Sequence, residues 1–133
     1  MRWVDSHCHL QEQFLPHEAN GSAEAIAALA RAAEAAVDAV VCVGTDEATS
    51  RQALELSRAA AGGRLGEGLP ALRAVIGLHP HDAKEGFDWL PELLEDAGTE
   101  VAGIGECGLD YHYEHSDRAV QQEVFSAQMA LAR

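Results

Sequence analysis

Apolar residues along this chain alternate between two spacings, and the alternation repeats in one order. Arg2-Trp3-Val4 reads as the start of a strand. Ala39–Val43 and Leu72–Leu78 are apolar runs of strand length, and Val101–Gly105 is a shorter fourth run. Between the strands, Ile26, Leu29, Ala33 and Val37 recur at helical spacing, as do Ala53, Leu56 and Ala60. Val120, Val124, Ala127 and Leu131 repeat that face near the end of the chain. A further helix is predicted from about Phe87 to Ala97, with Pro91 in its first turn and Gly98 as its stop. Ser22, Thr45-Asp46-Glu47 and Asp117 are suited to cap helix starts. Pro16 and Asn20-Gly21 mark the 11–21 stretch as a loop, and the glycines at 62, 63, 66 and 68 make 61–70 a flexible connection. The pattern is strand–helix, four times over. It predicts an α/β fold in which residues 1–133 form a single domain with a parallel sheet. The unbroken apolar run at 39–43 predicts a strand covered on both faces.

Charge narrows the functional classes. Nine basic against 22 acidic residues give a net charge of −13, which argues against a nucleic-acid grip built on a basic patch. Any phosphate substrate has to be held by metal ions and a few local donors. Cys8, Cys42 and Cys107 are an odd number at no CxxC spacing, so they read as small core residues in a reducing compartment. No apolar run approaches the roughly 18 residues of a membrane span, and no basic-then-apolar leader is present at the start. The expected location is cytoplasmic, with no membrane partner.

Candidate chemistry gathers where the predicted strands end. In Asp5-Ser6-His7-Cys8-His9, residues two apart on a strand share a side. His7 and His9 therefore aim together while Cys8 faces away, an arrangement suited to a divalent ion. Asp5 lies on the same side, as an outer or bridging carboxylate. His79-Pro80-His81-Asp82 follows the third strand, where the histidines suit either a metal or a substrate phosphate; a structural role for His81 is equally open. Glu106 follows the fourth strand and is the best-placed carboxylate to reach two ions. The neighbouring glycines 103, 105 and 108 favour close backbone approach and a tight turn. Asp110 and Tyr111 either line the mouth of the site or cap its turn, and His112 and His115 read as surface residues. Sorting of these groups onto strand C-terminal ends is what βα-barrels do with their chemistry.

The segments VDSHCHL, VGTD, GLHPHDA and GECGLDYHY, followed by QQEVFSAQMALA, resemble the TatD family of metal-dependent deoxyribonucleases in order and spacing. The resemblance implies a TIM-barrel-type hydrolase of the amidohydrolase kind. It also implies one or two divalent ions (Zn, Mg or Mn) per site, and DNA as a substrate held through metal. By motif, His7 and His9 would bind the first ion and Glu106 would bridge both as the catalytic carboxylate. His79 would sit near the substrate phosphate, with Asp110 beside it. A barrel of this type needs about 250 residues, so the chain is expected to carry about four of eight units, the N-terminal half. The two later histidines and the late aspartate of the family pattern are not among its residues. A truncated gene or fragment, weakly active or inactive, is the expectation. Other amidohydrolase-class chemistry on an amide or ester, or a non-catalytic half-barrel that closes as a homo-oligomer, are the alternatives. Ala36 stands where the family usually carries a glycine to end the first helix. Alanine in that left-handed position costs on the order of 1 kcal/mol, so a different helix end is expected.

Overall fold

The computed structural model describes residues 1–13 and 21–133. Strands β1 (Trp3–Cys8), β2 (Val37–Val43), β3 (Ala71–Ile76) and β4 (Val101–Ile104) form one parallel sheet in the order β1-β2-β3-β4. Helices α1 (Gly21–Glu34), α2 (Glu47–Ala61) and α3 (Trp89–Ala97) cross between them, and α4 (Arg118–Leu131) follows β4. Sequential order with right-handed crossovers puts the crossover helices on a single face of the sheet. The core accordingly lies between that face and the helices. Val40, Cys42, Leu72, Ala74 and Ile76 point into it and meet Leu29, Leu54, Leu56, Leu90 and Leu93. On the other face of the sheet Val41 is half-buried and Val43 buried on β2, while on β3 Val75 is half-buried and Arg73 exposed, so β2 is covered fully on one face and in part on the other. In a closed barrel, layers of inward side chains fill that face.

Local chemistry accounts for most element boundaries. Asp46 and Thr49 form a reciprocal capping box at the start of α2, with the Asp46 carboxylate accepting from the Thr49 N–H at 2.8 Å. Asp117 occupies the cap position of α4 without a side-chain cap bond. α3 begins at Trp89 rather than Phe87. The turn signals at Pro16 and Asn20 lie outside the described residues, and α1 begins at Gly21, one residue before the expected cap at Ser22.

Val37 belongs to β2, not to α1, because the chain reverses at Ala36. Ala36 adopts φ +63°, so the left-handed helix end persists despite the alanine. Its N–H donates to the Ala33 carbonyl at 3.0 Å, and its own carbonyl accepts from the Trp3 N–H at 2.9 Å. Those two bonds tie the reversal to the sheet and offset the local cost of about 1 kcal/mol.

Three buried glutamines were not anticipated by the apolar pattern. Gln128 donates to the Leu78 carbonyl at 3.0 Å and accepts from the Leu78 N–H at 2.9 Å, acting as a strand neighbour beyond the end of β3. Gln121 likewise brackets Asp110, and Gln11 donates to the Val43 carbonyl at 2.6 Å while accepting from the Cys42 thiol at 2.9 Å. Each satisfies backbone or thiol groups near the strand ends that would otherwise be stranded.

Candidate metal centre

His7 lies on β1 and His9 just beyond it. The pairing of Asp5 with Val40 and of Cys8 with Cys42 sets three steps of β1 against two of β2. Through that irregularity the two imidazoles still converge, with their Nε2 atoms 3.2 Å apart. His9 Nδ1 lies 2.8 Å from the Val43 carbonyl. A carbonyl only accepts, so the proton sits on Nδ1 and the Nε2 lone pair is left facing the site. Asp5 accepts from the backbone N–H of His7 at 3.1 Å, and so reaches the site through the main chain. Cys8 turns the other way, against the core. It is the neighbour of Cys42 across the strands, and its contact first, then burial, push the Cys42 thiol far above its ordinary value. Cys42 is therefore a protonated core residue.

Glu106 arrives from the far edge of the sheet. Three strand spacings of about 4.8 Å would hold β1 and β4 roughly 14 Å apart if the sheet were flat. The chain closes that gap after β4 by crossing over the end of β3. The Gly105 N–H donates to the Ile76 carbonyl at 2.9 Å, and the Glu106 N–H reaches the Gly44 carbonyl, past the end of β2, at 2.8 Å. The crossing passes over Gly77, where an added Cβ would lie 2.5 Å from the Gly105 carbonyl carbon. Of the three glycines expected to permit close approach, Gly105 does so and Gly108 supplies a φ of +155°. Gly103 does neither, since a Cβ there would meet nothing nearer than 3.9 Å. Gly77, like Gly44 where a Cβ would lie 2.5 Å from the Ser50 Cα, is required by close approach and was not singled out for it.

Glu106 Oε2 then stands 3.4 Å from His7 Nε2 and 3.9 Å from His9 Nε2, while Oε1 stands 3.8 Å from His79 Nε2. Donors bound about 2.0–2.2 Å from one ion, at right-angled to tetrahedral geometry, stand roughly 3.0–3.6 Å apart. The three separations of 3.2, 3.4 and 3.9 Å match that spacing with a shift of a few tenths of an ångström. Two neutral imidazoles and a carboxylate are also the right donor chemistry for a borderline divalent ion. Cys107, next to Glu106, is a poorer donor, because burial and then the Glu106 charge push its thiol up.

His79 is arranged in the opposite sense to His9. Its Nδ1 accepts from the His81 N–H at 3.3 Å, which places the proton on Nε2, on the side of Glu106. It is thus set up to donate a hydrogen bond. Asp110 is fully engaged. One oxygen accepts from the N–H groups of His112 (2.8 Å) and Tyr113 (3.2 Å), and the other pairs with His81 Nε2. The His112 N–H first, then the Tyr113 N–H and the His81 ring, hold its carboxyl below the usual value against some desolvation. That anchor is present at neutral pH and is lost only as the pH falls through the lowered value. Asp110 therefore shapes the 110–113 turn and orients His81. Tyr111 is likewise committed, its hydroxyl accepting from Gln122 at 2.7 Å and its ring lying under Arg118.

His79, His81, Glu106, Asp110 and Tyr113 line one cleft of about 470 Å³. A separate cleft of about 390 Å³ contains Arg58 and Glu100 and none of these groups. Arg58 is already bound there by Glu100 and Asp96 at 2.6 and 3.1 Å, so it offers no free cation. Tyr113 was not singled out in the sequence, where its signal is the density of rings in 111–115.

Comparison with known proteins agrees with this geometry. A family model described as TatD related DNase matches residues 4–133. The metal-dependent hydrolase YabD of Bacillus subtilis, itself described as uncharacterized, is 35% identical over 97% of this chain and 46% of its own length. The protein named 3'-5' ssDNA/RNA exonuclease TatD in Salmonella typhimurium is 36% identical over 78% of this chain and 37% of its own. The crystal structure of the TatD homolog YJJV from Escherichia coli superposes with a TM-score of 0.74 at 27% identity, over 98% of this chain and 46% of that one. A TatD family protein from Entamoeba histolytica shares the fold at a TM-score of 0.76 and 22% identity. The chain spans less than half the length of these relatives. Four parallel βα units with this rim, matched along almost the whole sequence, are the first part of a TatD-type barrel, and the chain belongs to the TatD-related DNase family.

Proposed function

We propose that residues 1–133 act as the N-terminal half of a metal-dependent phosphodiesterase whose substrate is DNA. The observation that carries this reading is the convergence of His7, His9 and Glu106 from the two edges of one sheet, with all three ligand atoms within 4.8 Å of one another. A zinc, manganese or magnesium ion held there supplies Lewis-acid stabilisation for charge developing at phosphorus. His9 is kept in the ligating tautomer by Val43. Glu106 turns one oxygen to the imidazoles and the other towards His79. His79 keeps its proton on Nε2, suited to a phosphate oxygen that enters beside Glu106. With a charge of −13, phosphate affinity has to come from such local donors. Three ligands give weak binding. A calorimetric titration of the wild type with Zn²⁺ or Mn²⁺ is expected to show one weak site that His7→Ala/His9→Ala abolishes. Equal binding by the two proteins would refute the site.

The open edges support a second element of the proposal, self-association of the isolated chain. Among the described residues β1 and β4 each pair on one side only, and on β1 Trp3 and Val4 are 56% and 63% exposed. Unpaired parallel edges and exposed apolar groups favour pairing with a second copy. Light scattering coupled to size exclusion is expected to give a dimer or larger species, and a 14.2 kDa monomer with a cooperative melt would exclude it.

A further inference from the structure

Building on the nucleic-acid reading above, we infer that Tyr113 is a stacking platform for an unpaired nucleobase beside the phosphodiester held at Glu106 and His79. Tyr113 lines the same cleft as those two residues, yet 65% of it is exposed. The other tyrosine, Tyr111, has its hydroxyl and one ring face taken by Gln122 and Arg118. Among the described residues Tyr113 has neither tie and is nevertheless oriented. Its N–H is fixed on Asp110, its ring lies parallel to that of His115 within 3° at a centroid separation of 5.8 Å, and His112 meets it edge-on at 4.5 Å. An exposed ring held in this way loses little further freedom when a base lies on it.

Charge points to the same occupant. Among the described residues no lysine or arginine lines the cleft, and the chain as a whole repels polyanions. The phosphate-tracking grip common to nucleic-acid grooves is therefore missing here. Stacking on an aromatic face is insensitive to that repulsion and tolerates any base, but needs the base unpaired and its face free. An unpaired base meets that condition, as in the single strands named for the Salmonella relative, and Tyr113 is the residue that would receive it.

The test uses the whole 133-residue chain with Mn²⁺ and fluorescence anisotropy. The ligands are a labelled single-stranded oligothymidylate with cleavage-resistant linkages and an abasic oligomer of equal length and charge. The wild type is expected to prefer the thymidylate. Tyr113→Ala should weaken thymidylate binding about five- to hundredfold, to the abasic level, and leave abasic binding unchanged. Tyr113→Phe should stay within about twofold of wild type, because the ring remains, and Tyr111→Ala should keep the preference. Equal binding of the two ligands by the wild type, equal weakening of both by Tyr113→Ala, or no binding of either would overturn the inference. The metal reading fails separately. If His7→Ala/His9→Ala binds the abasic oligomer as the wild type does while the base preference persists, the metal site is wrong and the Tyr113 platform stands.

Discussion

Gly77→Ala is expected to destabilise the fold by about 3 kcal/mol or more, at the upper end of the usual cost of overpacking. The added Cβ would lie 2.5 Å from both the carbonyl carbon and oxygen of Gly105 and 2.8 Å from its Cα. These are backbone atoms, so no rotamer change relieves the clash. The Gly105 N–H is bonded to Ile76, one residue before the substitution, and the Glu106 N–H to Gly44. On the other side, Ser50 Oγ meets the Gly77 N–H at 3.2 Å and its carbonyl at 3.3 Å. Moving either segment therefore breaks buried hydrogen bonds and displaces Glu106. Gly103→Ala is the matched control, since a Cβ there has room. Thermal melts should show a large loss for the first variant and little change for the second. Equal melting temperatures would mean that the crossing over β3 is not fixed as described.

Glu106→Gln should weaken divalent-metal binding by more than about a hundredfold, beyond the roughly 10–100-fold that loss of an outer hydrogen-bond partner costs. The amide keeps the shape of the side chain and removes the only carboxylate whose oxygen stands within 4 Å of both imidazoles among the described residues. Asp5→Asn is the comparison, because Asp5 contacts the backbone of His7 and not its ring; its effect should not exceed about tenfold. Competition against a chromophoric chelator reads both. Comparable losses for the two variants would mean that Glu106 is no more a metal ligand than Asp5 is.

The layered architecture was legible because burial imposes period on sequence. The alternation of strand runs with helical faces placed the four strands and four α-helices within a few residues. The histidines and Glu106 stood out because they fall at or just past strand C-terminal ends, where neither spacing calls for a polar group. What was not legible depends on contacts between distant segments. Gly77 looks like an ordinary strand-end glycine until Gly105 crosses it. The three glutamines carry no signal of burial in the sequence, because nothing local reveals which carbonyls lie opposite them. Asp110 lies in an acidic, aromatic loop in the sequence, and only the positions of the His112 and Tyr113 N–H groups show its carboxylate to be occupied. Ala36 was misjudged for a related reason. Its conformational cost could be estimated from residue type alone, whereas the sheet bond to Trp3 that offsets it could not.

The most direct test of the metal centre is X-ray absorption at the zinc edge of the chain loaded with one equivalent of Zn²⁺. The ligand set His7, His9 and Glu106 predicts a shell of nitrogen and oxygen at about 2.0–2.2 Å, with the multiple scattering of two imidazoles and no sulfur. A sulfur shell near 2.3 Å would instead bring Cys8 or Cys107 to the ion and contradict the site built here.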